Sequence, residues 1–547
     1  MAKWLVVVAL LGCQTAIEPA PTDATGGDGA GTFHEQTLVV DGESRTFWLH
    51  VPASALAGEA ALVVDFHGTG FTDLEPEIEW GTDELIAASD DIGFVVARPR
   101  SHSFTDSGQT LYQWDHTPAE VEANRRFAVA LVEHISSHYS IDPSRVYASG
   151  FSNGTNMALQ TLQLANAPFR GIALVGGGIY TPFPIVWPDA APRIYATTGY
   201  RDLNFVFQRD LTAWLGSTHY PLENLWIRET AGLHELRGAQ YREAFAWIDR
   251  GARPPVGELA AGWQAEATPA AAPLLSITSA SSGTLIVTAS DGSIWRRDAT
   301  GTWTRARTPA SGSPAVVAAC IADGRGLATG EHVNLATTDD GVTWQPSPPT
   351  TVANEFGDAT TFCLACGLNQ RILAGGLGFG ASSSDGGATW STAAMPGLDG
   401  FTSGAFAIRR GTSGAYVAVG VDYAGRSTDG TTFTASTGAD AYLYDVAEAD
   451  PGHWVAVGND GAMLASDDDG RTWTKEPTVT AQPLFAVSFA SPTVGLAVGL
   501  HGTALVTHDG GTTWQHSDLG VDAMLADVRW LPSGQALVVG EGVFVTR

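Results

Sequence analysis

One turn pattern recurs along the second half of this chain and restricts its fold more than any other feature. It is written Thr337-Thr338-Asp339-Asp340-Gly341-Val342-Thr343-Trp344, and again Ser383-Ser384-Asp385-Gly386-Gly387-Ala388-Thr389-Trp390. Ser466-Asp467-Asp468-Asp469-Gly470-Arg471-Thr472-Trp473 and Thr507-His508-Asp509-Gly510-Gly511-Thr512-Thr513-Trp514 repeat it. A shorter copy runs from Ser427 to Phe433, and a degenerate one ends Gly301-Thr302-Trp303, so the terminal aromatics fall 40 to 46 residues apart. Two or three short strand-like runs precede each, as in Leu484–Phe489, Gly495–Val498 and Ala504–Thr507. A period of about 40 residues with four short strands describes one blade of a β-propeller. Six turns do not mean six blades. Ala526–Arg547 supplies three more strands without a fourth, and Gly262-Trp263-Gln264 matches the missing one when set beside Thr513-Trp514-Gln515. Closing the ring with an N-terminal strand removes both sheet edges. The expectation is seven blades over residues 261–547.

The turn has a structural rationale: Asp side chains bond their own turn's backbone, Gly takes positive φ, and the aromatic packs between blades. It resembles the Asp-boxes of sialidases and photosystem-assembly propellers. The Arg-Ile-Pro element of sialidases is absent, so the resemblance implies a binding or presenting module whose ligand stays open. The acidic Asp467-Asp468-Asp469 run reads as a solvated turn, and no metal or cofactor is called for.

Lys plus Arg number 29 and Asp plus Glu 58, a net −29 over 547 residues, with lysine only at Lys3 and Lys475. Nucleic-acid binding requires a basic face to replace phosphate counterions, and none can be built here. At the N-terminus, Lys3 precedes the apolar run Trp4 to Leu11, far short of the roughly 20 residues that span a bilayer. The run has signal-peptide size and ends Leu10-Leu11-Gly12-Cys13. That ending resembles the lipobox of bacterial lipoproteins, which implies cleavage after residue 12, a lipid anchor on Cys13 and an exported, outer-membrane or extracellular protein. Residues 13–32 then read as lipidated cysteine and flexible tether. Of Cys320, Cys363 and Cys366, an exported chain could oxidise one pair and leave one thiol over.

Residues 33–250 alternate strand-like runs (Ala61–Phe66, Gly93–Ala97, Val146–Ser149, Gly171–Val175, Arg193–Thr197) with helix-like ones (Thr82–Ser89, Pro118–Ser137, Thr155–Ala165, Phe205–Leu215, Gly238–Arg250). That order means βαβ units and a mostly parallel sheet covered on both faces. Catalytic groups on such sheets sit at the carboxyl ends of strands. There, Gly150-Phe151-Ser152-Asn153-Gly154 lies between a strand and a helix, the context of a nucleophile elbow whose Gly150 and Gly154 leave room for the turn. A serine needs a base and the base an orienting carboxylate. Asp202 follows the strand at Arg193–Thr197, and His234 follows a strand-like run at Leu225–Arg228, in the order Ser, Asp, His. Donors for an oxyanion are expected from the Asn153 amide and from the turn after Phe66-His67, at Gly68 or Thr69. His67 itself is expected to pack and not to act as base.

Phe66-His67-Gly68, Ile141-Asp142-Pro143-Ser144-Arg145-Val146-Tyr147 and the elbow together resemble α/β-hydrolase esterases of the polyhydroxybutyrate depolymerase and feruloyl or acetylxylan esterase type. The resemblance covers residues 33–250 and implies nucleophile, acid and base at Ser152, Asp202 and His234. Three positions depart from the family: Gly154-Thr155 for Gly-Gly, Glu235-Leu236 after the histidine, and Glu122-Ala123-Asn124 for paired aspartates. Residues 251–260 read as linker. The whole is then a serine esterase acting on carboxylic esters, polymeric ones included, joined to an accessory propeller. The competing interpretations are a non-catalytic surface recognition lipoprotein with a vestigial hydrolase domain, and a peptidase using the same triad.

Overall fold

The computed structural model describes residues 31–547 except 72–81, 107–108, 115–116, 165–166, 189, 203, 233, 235–236, 254–256, 311–312, 331–332, 349–360, 368 and 399–402. The signal segment, Cys13 and nearly all of the tether therefore lie outside the described residues. The chain divides into two compact units, Met1–Glu229 with Leu233–Pro254, and Thr230–Gly232 with Pro255–Arg547. No helix among the described residues is long and apolar enough to cross a membrane.

The first unit begins with β1 (Gly31–Val40), β2 (Glu43–Val51), β3 (Ala60–Phe66), β4 (Gly70–Phe71), α1 (Thr82–Ile92) and β5 (Phe94–Pro99). It continues with β6 (His102–Asp106), β7 (Gln109–Gln113), α2 (Pro118–His138), β8 (Ile141–Phe151) and α3 (Asn153–Gln160). β9 (Gly171–Val175), β10 (Arg193–Gly199), α4 (Phe205–Ser217), β11 (Leu225–Thr230) and α5 (Gly238–Arg250) complete it. Eight strands form one sheet in the order β1-β2-β5-β3-β8-β9-β10-β11. The hairpin β1–β2 and the β2–β5 pair are antiparallel, while β5, β3, β8, β9 and β10 run parallel. This is the mostly parallel, two-faced sheet that the alternation of strands and helices predicts, with the α/β-hydrolase fold that the resemblance implies.

Burial on both faces explains why the central strands read as continuous apolar runs. Leu62, Val64, Ile172, Leu174 and Ile194 pack beneath Phe127, Leu131 and Ile135 of α2, Met157 of α3, and Leu211 and Leu215 of α4. Their neighbours Ala61, Val63, Val96, Ala173 and Tyr195 point the other way, against Leu85 of α1 and Tyr241, Phe245 and Ile248 of α5. A second, three-stranded sheet, β4-β7-β6, is not legible in the sequence, because its strands are short and carry no long apolar alternation. α3 also starts earlier than propensity indicates: Asn153 and Gly154 are poor helix formers, yet the helix begins immediately after Ser152.

A buried charge cluster ties four of these elements together. Asp65 of β3 receives Arg98 of β5 through Nε at 2.9 Å and Nη2 at 2.7 Å, with both side chains almost fully buried. Its other oxygen accepts from Ser149 Oγ of β8 at 2.5 Å and Tyr241 OH of α5 at 3.2 Å. Burial, followed by the Asp65 charge, pushes the Tyr241 phenol well above its usual range.

The described residues of the second unit form seven four-stranded antiparallel sheets. Six are sequential, from Leu274–Arg307 to Leu484–His516, and the seventh closes the ring. There Leu525–Trp530, Ala536–Gly540 and Val543–Thr546 take Trp263–Glu266 as outermost strand, Trp263 pairing with Thr546. The seven-bladed propeller and its closing strand are thus as expected. Trp263 is 1% exposed, and its indole donates to the Ser517 carbonyl at 2.7 Å.

The repeated turns connect the third and fourth strands of a blade. In each of the four full copies the Asp side chain binds the turn ahead of it, as Asp385 does in accepting from Thr389 N at 2.9 Å and Thr389 Oγ1 at 2.6 Å. Asp339, Asp468 and Asp509 make the same pair of bonds to Thr343, Thr472 and Thr513. The aromatic ends the turn between sheets: Trp514 packs among Val455 and Val457 of the preceding blade and Leu484 and Val487 of its own. Cys320 and Cys366 form a disulfide between the inner strands of adjacent blades, and Cys363 remains a buried thiol.

Two outcomes are expected. Replacing Arg98 with Met leaves Asp65 as a buried unpaired carboxylate, so the first unit loses about 3–5 kcal/mol, read by denaturant unfolding at pH 7. Hydrogen bonds from Thr343 and Thr389, side chain first and backbone second, lower the Asp339 and Asp385 carboxyls to about 2, against roughly 3.9 in an unfolded chain. A depressed acid stabilises fully above the unfolded value and loses that contribution as pH falls through the folded one. The stability difference between wild type and Asp385→Asn should therefore be present at pH 5 and vanish as pH approaches 2. A difference independent of pH would refute this account of the turn.

Candidate active site

The parallel strands β3, β8, β9 and β10 deliver their carboxyl ends to one edge, and every expected catalytic side chain lies there or just beyond. Ser152 follows β8 with φ 53° and ψ −123°, a conformation costing an L-residue on the order of 1–3 kcal/mol. The surroundings over-determine it. Its N–H donates to the Val175 carbonyl at 3.0 Å, and its own carbonyl accepts from Thr155 N at 3.0 Å and Thr155 Oγ1 at 2.6 Å. A Cβ on Gly150 would sit 2.2 Å from the Gly154 carbonyl oxygen, and one on Gly154 would sit 1.9 Å from that of Phe66. Backbone, unlike a flexible side chain, cannot yield at such distances, so both positions need glycine.

Asp202 lies in the loop after β10 and His234 in the loop after β11. Asp202 Oδ2 is 2.8 Å from His234 Nδ1, with side chains 1% and 8% exposed. An ionised carboxylate only accepts, so Nδ1 carries a proton, and in the neutral ring Nε2 is then the nitrogen with the lone pair. Nε2 is buried and has no hydrogen-bond partner among the described residues. The imidazole lies over the Phe151 ring, centroids 4.7 Å apart at 31°. Asp202 also caps the start of α4: Oδ1 accepts the Asn204 amide at 2.7 Å, and its carbonyl accepts from Phe205 N at 3.1 Å. One carboxylate thus bonds both the imidazole and the backbone at the start of α4.

Asn204 escaped the sequence analysis. Its Nδ2 lies 3.5 Å from Ser152 Oγ, 3.3 Å from His234 Nδ1 and 3.2 Å from the Gly176 carbonyl, so one buried amide touches serine and histidine while its backbone holds the aspartate. The only sequence signal was an amide two residues beyond Asp202, indistinguishable from an ordinary turn residue. His219, the other histidine after Ser152 in this unit, is exposed at φ 60° in the turn after α4.

The turn after β3 lies against the nucleophile: a Cβ on Gly68 would be 3.2 Å from Ser152 Cβ. Gly68 and Thr69 are buried, and neither amide has an acceptor among the described residues. Asn153, also buried, opens α3, where the first N–H groups lack intrahelical acceptors. The turn at Gly68 and Thr69 and the start of α3 at Asn153 therefore flank Ser152 on two sides. His67 does not serve as base. Its Nδ1 bonds the Gly68 carbonyl and its Nε2 accepts from Ser101 N at 3.2 Å, which requires the neutral ring. Burial, partly opposed by the Gly68 bond, pushes its pKa down to about 4.

No family model matches the chain. Among characterised relatives, an esterase-named protein of Nocardia uniformis subsp. tsuyamanensis, NocK, is 29% identical over 179 residues, covering 31% of this chain and 49% of its own. Poly(3-hydroxyalkanoate) depolymerase C of Paucimonas lemoignei is 30% identical over 189 residues, covering 31% of this chain and 43% of its own. A bifunctional acetylxylan esterase/xylanase of Neocallimastix patriciarum is 27% identical over 151 residues, 26% and 21%. The chain thus spans half or less of the relatives it matches. Among solved structures, YCF48 bound to D1 peptide aligns at TM-score 0.44 and 19% identity over 53% of this chain and 98% of that one. A streptogramin B lyase aligns at TM-score 0.45 and 13% identity over 52% and 96%.

The His67 imidazole should stay neutral from pH 8 down to pH 5, observed as the absence of a titrating shift in its ring NMR resonances. A midpoint above pH 6 would contradict the hydrogen bonding described.

Proposed function

We propose that this protein is a serine hydrolase that cleaves carboxylic esters through an acyl-enzyme. The observation that carries this reading is the convergence of a strained serine, a buried Asp202–His234 pair and the close turn at Gly68 at one edge of the sheet. Ester-hydrolysing names among the partial relatives support the same reaction class.

In this reading Ser152 Oγ attacks the ester carbonyl while His234 Nε2 takes the hydroxyl proton. Asp202 holds the ring in the tautomer that allows this and stabilises the imidazolium that forms. The carbonyl oxygen becomes an oxyanion, which accepts from the Asn153 amide and from Gly68 or Thr69. Collapse breaks the bond to the alkoxy oxygen, which leaves as an alcohol with the proton from His234. Water, deprotonated by the same nitrogen, then attacks the acyl-serine and releases the carboxylic acid. The proton on His234 returns to Ser152 Oγ as the acyl bond breaks.

The substrates in view are polyhydroxyalkanoate-like polyesters or feruloyl and acetyl esters of polysaccharide. We assign the propeller a binding or presenting role and the protein an exported location, anchored through lipid on Cys13. The Cys320–Cys366 disulfide supports export, because such bonds persist in oxidising compartments.

The test is turnover of short p-nitrophenyl esters, feruloyl esters and polyhydroxybutyrate by the full chain. Ser152→Ala should abolish it, and Asp202→Asn should lower kcat by about 10⁴ through the wrong tautomer. Wild type inactive on all three would overturn the reading in favour of a non-catalytic recognition protein, and turnover that survives Ser152→Ala would overturn Ser152 as the nucleophile.

A further inference from the structure

We propose that Trp114 is a positioning residue that holds the two halves of the oxyanion hole in register. It rests on the esterase reading above. Trp114 lies between β7 and α2 and is fully buried, but it is more than apolar filling. Its backbone N–H donates to Asn153 Oδ1 at 3.0 Å, and its indole Nε1–H donates to the His67 carbonyl at 2.8 Å. One residue thus binds both segments that supply donors to the oxyanion, the start of α3 and the turn after β3.

Peptide geometry gives these bonds their consequence. In a trans peptide the carbonyl and the following N–H point in opposite directions within one plane. Fixing the His67 carbonyl therefore fixes the direction of the Gly68 N–H. The next plane is held in the same way, since the His67 ring bonds the Gly68 carbonyl and so fixes the Thr69 N–H. The indole also packs edge-on against Phe66, centroids 5.1 Å apart at 87°, and tilted against His67 at 4.8 Å. Across the gap, the Asn153 side chain is tied to the same residue, which restrains the amide that opens α3.

Trp114 is itself held. Its carbonyl accepts from Asn124 Nδ2 at 2.9 Å, and Asn124 Oδ1 accepts from Arg45 Nη2 at 2.7 Å. Here the amide both donates to Trp114 and accepts from Arg45, which a carboxylate cannot do. The clamp thus runs from β2 through α2 to the loop and reaches both donor segments.

Donors preorganised at an oxyanion act on the transition state and much less on the bound ester. Trp114→Phe keeps a ring and removes only the indole N–H, leaving the His67 carbonyl unanchored. On a short p-nitrophenyl ester it should lower kcat by about 10- to 100-fold with KM within about twofold of wild type. Affinity for a trifluoromethyl ketone, which forms the tetrahedral adduct on Ser152, should fall by the same factor. Affinity for the matching unreactive alcohol should not. Trp247→Phe is the control: its indole bonds the Ile194 carbonyl at 3.4 Å from α5, on the other face of the sheet, and kcat should not change. If Trp114→Phe fails to fold, Asn124→Ala should show the same split at smaller size. A folded variant with unchanged kcat and unchanged ketone affinity overturns the proposal, as does a loss confined to KM. Wild type without Ser152-dependent turnover overturns the esterase reading instead, and this inference falls with it.

Discussion

The first unit is organised around a contact that admits no side chain. Gly154 abuts the Phe66 carbonyl so closely that even a methyl group would lie within bonding distance, which presses α3 onto the end of β3. That approach brings the turn at Gly68 beside Ser152, opposite the first turn of α3. Strain at Ser152 is the local consequence. It persists because bonds from Thr155 and to Val175 hold the elbow from both directions.

Beneath this edge, polar groups carry the rigidity that apolar packing lacks directionality to provide. Asp65 lies two residues before His67, and its bonds to Arg98, Ser149 and Tyr241 draw two neighbouring strands and α5 to the strand that ends in the turn. Replacing such a cluster with apolar residues can preserve stability, but it does not reproduce a fixed relative position of strand ends. Above it, Trp114 and Asn204 continue the pattern with amide and indole groups, neither of which titrates.

The propeller relies on the same device of close backbone approach. A Cβ at Gly330, Gly458, Gly499 or Gly540, each ending the second strand of its blade, would fall within 2.0 Å of the carbonyl oxygen of the residue that precedes the inner strand. Its repeated carboxylates explain part of the net −29 charge as turn chemistry. Asp385 and its counterparts are acceptors for their own loops, so that part of the acidity has a structural cause and is less a clue to a cationic partner.

Local features announced themselves. The period of the Asp-containing turns specified blades, and the strand lacking at the C-terminus pointed to Trp263. The glycines flanking Ser152, with strand before and helix after, identified the elbow. These features are encoded within a few neighbouring residues, where backbone conformation and side-chain chemistry constrain each other directly. The order of Ser152, Asp202 and His234 indicated candidates, but only folding brings side chains 30 and 52 positions away within reach of Asn204. The same holds for Trp114, whose partners lie 39 and 47 positions away, and for the choice of Cys320 and Cys366 over Cys363. A tryptophan in a loop and an asparagine after an aspartate have nothing in their neighbours to mark them. Their roles arise from long-range hydrogen bonds, and those exist only once the sheet has set the order of its strands.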